Sequence, residues 1–238
     1  MNRHLLLLTV CQGLFLTNNV AFMAINGLVG LALAPQAWMA TLPVMAYVVG
    51  GALSTGLVAR TQRRFGRRIS FQIGLGVALV SALTCAAAVV LHAFWLLCAA
   101  TVVAGYYNAN ATLYRFAAAE LAAPAWREKA VSLVMAGGLI GAVVGPNLAA
   151  ITRQWLAAPF AGAYAALAAV AVLAMALMQF IRFPAPPSGK EAQGGRPLSE
   201  IMRQPVFIVA AMAGALGFGV MNLLMAGTAL AMQVCSYP

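Results

Sequence analysis

Apolar runs of about twenty residues follow one another along nearly the whole chain, and no other feature constrains the fold as strongly. The hydrocarbon core of a bilayer is about 30 Å thick, and about 20 helical residues cross it. Runs of this kind cover residues 5–33, 38–59, 69–91, 94–118, 130–151, 160–181 and 206–234. In hydrocarbon each backbone N–H and C=O must be satisfied inside the chain, so the runs are predicted as α-helices. Only 8% of the residues are charged, against 63% hydrophobic. A water-facing domain carries about 25% charged residues, so the expected fold class is an all-α membrane protein with the lipid bilayer as its main partner.

The basic residues settle which side is which. The chain carries 14 basic and 4 acidic residues, a net charge of +10. Arg3 precedes the first run. Arg60, Arg63, Arg64, Arg67 and Arg68 lie between the second and third, and Arg127 and Lys129 between the fourth and fifth. Arg182, Lys190, Arg196 and Arg203 lie between the sixth and seventh. If every run crosses the membrane, all these loops share one side, and only Arg153 falls on the other. Positive loops stay in the cytoplasm, so a multi-pass protein of the cell inner membrane with a cytoplasmic N-terminus is expected. The charge is thus a topology signal, and nucleic acid is not an expected partner. The N-terminal run continues past the length of a secretory leader without a small-residue exit, which makes it a first span. Cys11, Cys85 and Cys98 lie inside apolar runs without paired spacing, as small buried hydrophobes do.

One longer polar stretch interrupts the pattern. Residues 183–205 hold Pro184, Pro186, Pro187, Gly189, Gly194, Gly195 and Pro197. Such a composition reads as a linker, with a short amphipathic helix at 198–203. The domain reading is a six-helix bundle at 1–182, a cytoplasmic linker at 183–205, and the first helix of an incomplete second bundle at 206–238. A missing C-terminal half or a second copy is then the expected protein partner.

Within the runs, small and polar residues carry the remaining information. Gly137, Gly141 and Gly145 recur every four residues, followed by Pro146. They read either as a close-packing groove or, because proline frees a carbonyl, as a gating hinge. Polar side chains inside spans are costly and tend to face a cavity. The first run carries Asn18, Asn19 and Asn26, and the fourth carries Asn108, Thr112 and Arg115 at a spacing that shares one helical face. Asn18, Asn19, Asn108, Thr112 and Arg115 are the expected substrate path, with interhelical hydrogen bonding and a snorkelling Arg115 as the alternative. His4 and His92 have no second ligand near them in sequence. No G-x-x-x-x-G-K-[ST] nucleotide loop is present. All four carboxylates, Glu120, Glu128, Glu191 and Glu200, fall in or beside loops. An enzyme, a nucleotide-driven pump and a resident cofactor are therefore not expected.

The segment from Ala59 to Arg68 resembles the loop motif of the major facilitator superfamily. Arg64, Gly66, Arg67 and Arg68 match it, while Arg63 replaces the usual aspartate and Ala59 the first glycine. That resemblance implies two six-helix bundles rocking about a midplane site. Tyr114 to Glu120, Gly145-Pro146, and Gly219 to Met225 further resemble the CcoA-like bacterial copper importers. In that group a Met-x-x-x-Met pair on the seventh helix handles copper, which here would be Met221 and Met225. At 100° per residue, Met221, Met225, Thr228, Met232 and Cys235 fall within about 40° of one line. Soft sulfur ligands suit Cu(I), although methionine also fills gaps in apolar helices. The expected function is a secondary transporter of copper. Riboflavin or another small solute is the alternative cargo, and a truncated or accessory membrane protein without transport is the alternative class.

Overall fold

A computed structural model describes residues 3–184 and 198–234 of the chain. Its described residues are helical, with no strand among them. They form two compact units, Met1–Pro184 and Ala185–Pro238. The first unit begins with α1 (Arg3–Leu33), followed by a 3₁₀ turn at Ala37–Thr41 and α2 (Leu42–Val90). Next come α3 (Phe94–Ala111), α4 (Tyr114–Leu121), α5 (Arg127–Thr152) and α6 (Ala161–Gln179). The second unit holds α7 (Leu198–Met202) and α8 (Pro205–Val234).

The second and third apolar runs are joined without a loop. Helix α2 has 49 residues and departs from helical geometry at Gly66, where φ is 77° and ψ is 171°. Arginine is a good helix former, so the basic segment stays helical on both sides of Gly66, where the chain kinks. At Gly66 a Cβ would crowd the following carbonyl at positive φ, and glycine has none. Residues 42–65 and 67–90 are therefore two rods. Tyr47 shares one apolar cluster with Cys85, Ala88 and Val89, so the rods double back on each other.

The fourth run departs from expectation in the opposite sense. It is broken at Thr112 and Leu113 into α3 and α4. The Thr112 hydroxyl donates to the Ala109 carbonyl at 2.9 Å, and the Leu113 N–H turns to the Asn110 carbonyl at 3.1 Å. A side chain bonding back to the preceding turn competes with the helical ladder and tightens it. Thr112 and Leu113 keep helical backbone angles through this tightened turn, and the Thr112 N–H still donates to the Asn108 carbonyl at 3.1 Å.

Glycines set how closely the helices approach. A Cβ on Gly137 would lie 2.7 Å from the Thr9 carbonyl oxygen, and one on Gly145 would lie 2.6 Å from that of Thr17. Between them, a Cβ on Gly141 would press on the Gly13 carbonyl and reach 2.8 Å from the Thr17 nitrogen. The groove on α5 therefore receives the backbone of α1, which is the packing reading of that stripe. Helix α5 runs through Pro146 without ending. On the other side of the bundle, Gly105 of α3 meets Gly50 and Gly51 of α2. A hydrogen bond from Gln72 to the Met175 carbonyl, 2.9 Å, joins the second rod of α2 to α6.

Two apolar layers fill the bundle. One gathers Phe22, Tyr47, Cys85, Leu97 and Tyr164. The other gathers Phe15, Phe71, Tyr107, Tyr114, Val134 and Met178. Edge-on aromatic contacts, Phe71 to Tyr114 at 4.8 Å and Phe15 to Tyr107 at 5.5 Å, lock the second layer. Outside these layers Leu53, Leu139, Ile140, Val143 and Ile151 are exposed, as side chains that meet lipid or another apolar surface are.

Candidate functional site

The motif arginines separate into free and engaged groups. Arg64 and Arg68 are exposed, and the Arg64 guanidinium lies 5.2 Å from the Phe65 ring centroid. Arg67 is held. Its Nε and Nη2 both donate to the carboxylate of Glu120 at the end of α4. Its Nη1 donates to the Gln62 side-chain oxygen at 3.0 Å. The Gln62 amide donates in turn to Oδ1 of Asn110 at 3.2 Å, and the Asn110 amide donates to the Ser70 carbonyl at 2.7 Å. One chain of hydrogen bonds thus ties both rods of α2 to α3 and α4. Gly74 makes room for it, since a Cβ there would sit 2.8 Å from the Asn110 nitrogen. Position 63 of this turn is an arginine, and the carboxylate that Arg67 meets comes from another helix, as Glu120. Sequence reasoning placed Arg67 in the motif but did not find Gln62, Ser70, Asn110 or Glu120. The only available signal was that each is polar and lies at a helix end.

The asparagines of α1 divide in the same manner. Asn18 is buried, and its amide donates to the Leu167 carbonyl of α6 at 3.1 Å. Asn26 is buried too, donating to the Phe22 carbonyl at 2.8 Å and accepting from the Tyr164 hydroxyl at 2.9 Å. Both side chains join helices to one another, the interhelical alternative. Asn19 is half-buried, and its Oδ1 accepts from the Tyr47 hydroxyl at 2.6 Å. That bond fixes the amide rotamer and leaves the nitrogen as its donor end. Sequence reasoning did not find Tyr47, which reaches Asn19 from a different helix.

On α3, Asn108 is half-buried and faces Gly51, where a Cβ would lie 3.5 Å from the asparagine nitrogen. Tyr106 donates to the Thr61 hydroxyl at 3.2 Å. Thr112 is exposed, with its hydroxyl bonded back to Ala109. Arg115 is exposed on α4, 5.0 Å from the Phe116 ring centroid. The structure therefore brings Asn19 together with Tyr47 and sets Asn108 on the α2–α3 seam, while Arg115 is exposed at the start of α4. In the second unit Met221 is exposed on α8. The Met225 and Met232 side chains and Cys235 lie outside the described residues.

Four helices among the described residues are long and apolar enough to cross a membrane, α2 being counted once with the turn before it. Together with close glycine contacts and buried amide crosslinks, they define a polytopic helical membrane protein. The chain belongs to the Major Facilitator Superfamily, whose family model matches residues 5–238. This is a family of transporters and not of enzymes.

Over 233 residues the chain is 34% identical to the riboflavin transporter RfnT of Brucella anthropi, covering 97% of this chain and 58% of that protein. Over 110 residues it is 29% identical to the uncharacterized MFS-type transporter YddS of Bacillus subtilis, covering 46% of this chain and 25% of that protein. The chain thus spans about 58% of the length of the riboflavin transporter that it matches.

Proposed function

We propose that this chain forms the N-terminal bundle and the first helix of the second bundle of a secondary transporter, and that its cargo is a small neutral organic solute of the riboflavin class. The observation that carries this is the 34% identity to a riboflavin transporter across 97% of the chain. The likeness to a flavin carrier supports the riboflavin alternative over copper, for which the support is the local resemblance around Met221 and Met225.

The chemistry of the bundle fits such a cargo. A flavin ring presents carbonyl acceptors and an N–H donor along one edge of a flat aromatic system. An asparagine amide both donates and accepts, so Asn19 and Asn108 suit that edge. Among the asparagines compared above, these two keep partial exposure while Asn18, Asn26 and Asn110 are buried. Asn19 comes oriented by Tyr47, which reduces the ordering cost of binding. A neutral solute needs no buried counter-charge, in keeping with the positions of all four glutamates in or beside loops. The Arg-rich end and the N-terminus are assigned to the cytoplasm by the positive-inside rule, in the inner membrane, and the two bundles exchange access by rocking.

The test is uptake of labelled riboflavin by cells unable to make it, expressing the full-length protein. Asn19→Leu and Asn108→Leu are expected to raise KM about tenfold each, the worth of one or two hydrogen bonds to the solute, with surface expression preserved. Absence of riboflavin uptake, or copper uptake abolished by Met221→Leu, would overturn the flavin reading.

A further inference from the structure

A groove lies at the end of the first unit that carries the Arg-rich turn. It is lined by Leu5 of α1, Leu121 at the end of α4, Ala122 and Ala123, and Trp126, Lys129, Ala130 and Leu133 at and within the start of α5, and encloses about 650 Å³. Its place at that end is fixed by Glu120, the neighbour of Leu121, which is bound to Arg67 of the turn. A volume of this size falls in the range of small-molecule sites, about 300–1,000 Å³.

The lining is amphipathic in a directed way. Leucines and alanines form the wall, while the one charged lining residue, Lys129, stands exposed with its Nζ 4.8 Å from the centroid of the exposed Trp126 ring. Tryptophan and lysine are side chains that settle at the headgroup level of a bilayer. Arg127 precedes Glu128 and Lys129, and Arg3 and His4 precede Leu5. Glu120 is already engaged by Arg67. Lys129 is therefore the one charged side chain lining an otherwise apolar slot.

We infer that this groove binds an anionic phospholipid, with one acyl chain against Leu5, Leu121, Ala130 and Leu133 and the phosphate at Lys129. Charge complementarity selects that occupant: a zwitterionic lipid offers the same chain but brings its own ammonium to the lysine. Basic pockets between helices on the cytoplasmic side take anionic headgroups by this chemistry. Lipid binding here is separate from the solute path and does not depend on which solute is carried.

The experiment is native mass spectrometry of the full-length protein released from micelles that contain phosphatidylglycerol and phosphatidylcholine in equal amounts. Wild type is expected to retain one phosphatidylglycerol in preference to phosphatidylcholine. Lys129→Gln is expected to lower that retention about fivefold, the worth of one basic residue at an anionic surface. Leu133→Trp, at an exposed position, fills the slot and is expected to abolish retention while leaving the monodisperse elution profile intact. Arg60→Gln removes an equally exposed arginine of the same end and is expected to change nothing. Equal retention of both lipids, or loss through Arg60→Gln as large as through Lys129→Gln, would reduce the effect to general surface charge and overturn the proposal. Retention unchanged by Leu133→Trp would also overturn it and leave the groove to a protein segment.

Discussion

Replacing Gly141 by alanine isolates the contact that holds α5 to α1. The added methyl meets the Gly13 carbonyl and the Thr17 nitrogen, the latter at 2.8 Å. Both are backbone atoms, so no rotamer change relieves the clash and the helices must separate. Alanine is about 1 kcal/mol better than glycine in a helix, while overpacking against a rigid neighbour costs about 1–3 kcal/mol. A net loss of up to about 2 kcal/mol follows from these opposing terms. For a chain of this size each kcal/mol moves Tm by about 2–4 °C, so Tm is expected to fall by up to about 8 °C. Gly56 supplies the control, because a Cβ there meets nothing within 4 Å. Gly56→Ala keeps the propensity gain without the clash and is expected to leave Tm equal or raise it. The assay is thermal unfolding in detergent read by a thiol-reactive dye, since Cys11 and Cys85 are buried in the folded bundle. Equal Tm for the two alanine variants would refute the reasoning and make the α5 stripe incidental.

Three further outcomes are expected. Gly66→Ala places a side chain at φ 77° and should cost about 1–2 kcal/mol, read as a lowered Tm in the same assay; an unchanged Tm means the rods are joined in some other geometry. Asn110→Ala removes the acceptor of Gln62 and the donor to Ser70 at a buried position, and should cost about 1–3 kcal/mol, whereas Asn147→Ala, exposed and bonded only to its own helix, should cost little. The Arg67–Glu120 pair is partly exposed, with side chains 22% and 45% accessible, so a double-mutant cycle of Arg67→Gln and Glu120→Gln should give a coupling of only about 0.5–1 kcal/mol, falling with added salt; zero coupling at low salt would contradict the bidentate contact.

Much of the helix map was legible in advance because the bilayer allows so few solutions. The runs at 5–33, 130–151, 160–181 and 206–234 coincide within a few residues with α1, α5, α6 and α8, and the linker helix expected at 198–203 coincides with Leu198–Met202. The site was less legible. Spacing did not show that Thr112 bonds its hydroxyl back to Ala109 and stands exposed where α3 gives way to α4. Asn18 and Asn19 are adjacent and chemically identical in the sequence. One is buried against Leu167, while the other is half-buried and oriented by Tyr47. Nothing local distinguishes them, because the difference lies in which helix stands opposite.

The sequence by itself determined that this protein is helical and bilayer-embedded, and it supplied the loop motif and the glycine stripe. Those properties follow from hydrophobicity and from the demand that every backbone group be paired in lipid, both of which act within one segment. Only the tertiary structure decided which polar side chains lock helices together and which keep partial exposure. It also decided that Glu120 serves Arg67 and that an apolar slot opens beside Lys129. Each of these depends on contacts between residues far apart in the chain, which segment-by-segment reading does not specify.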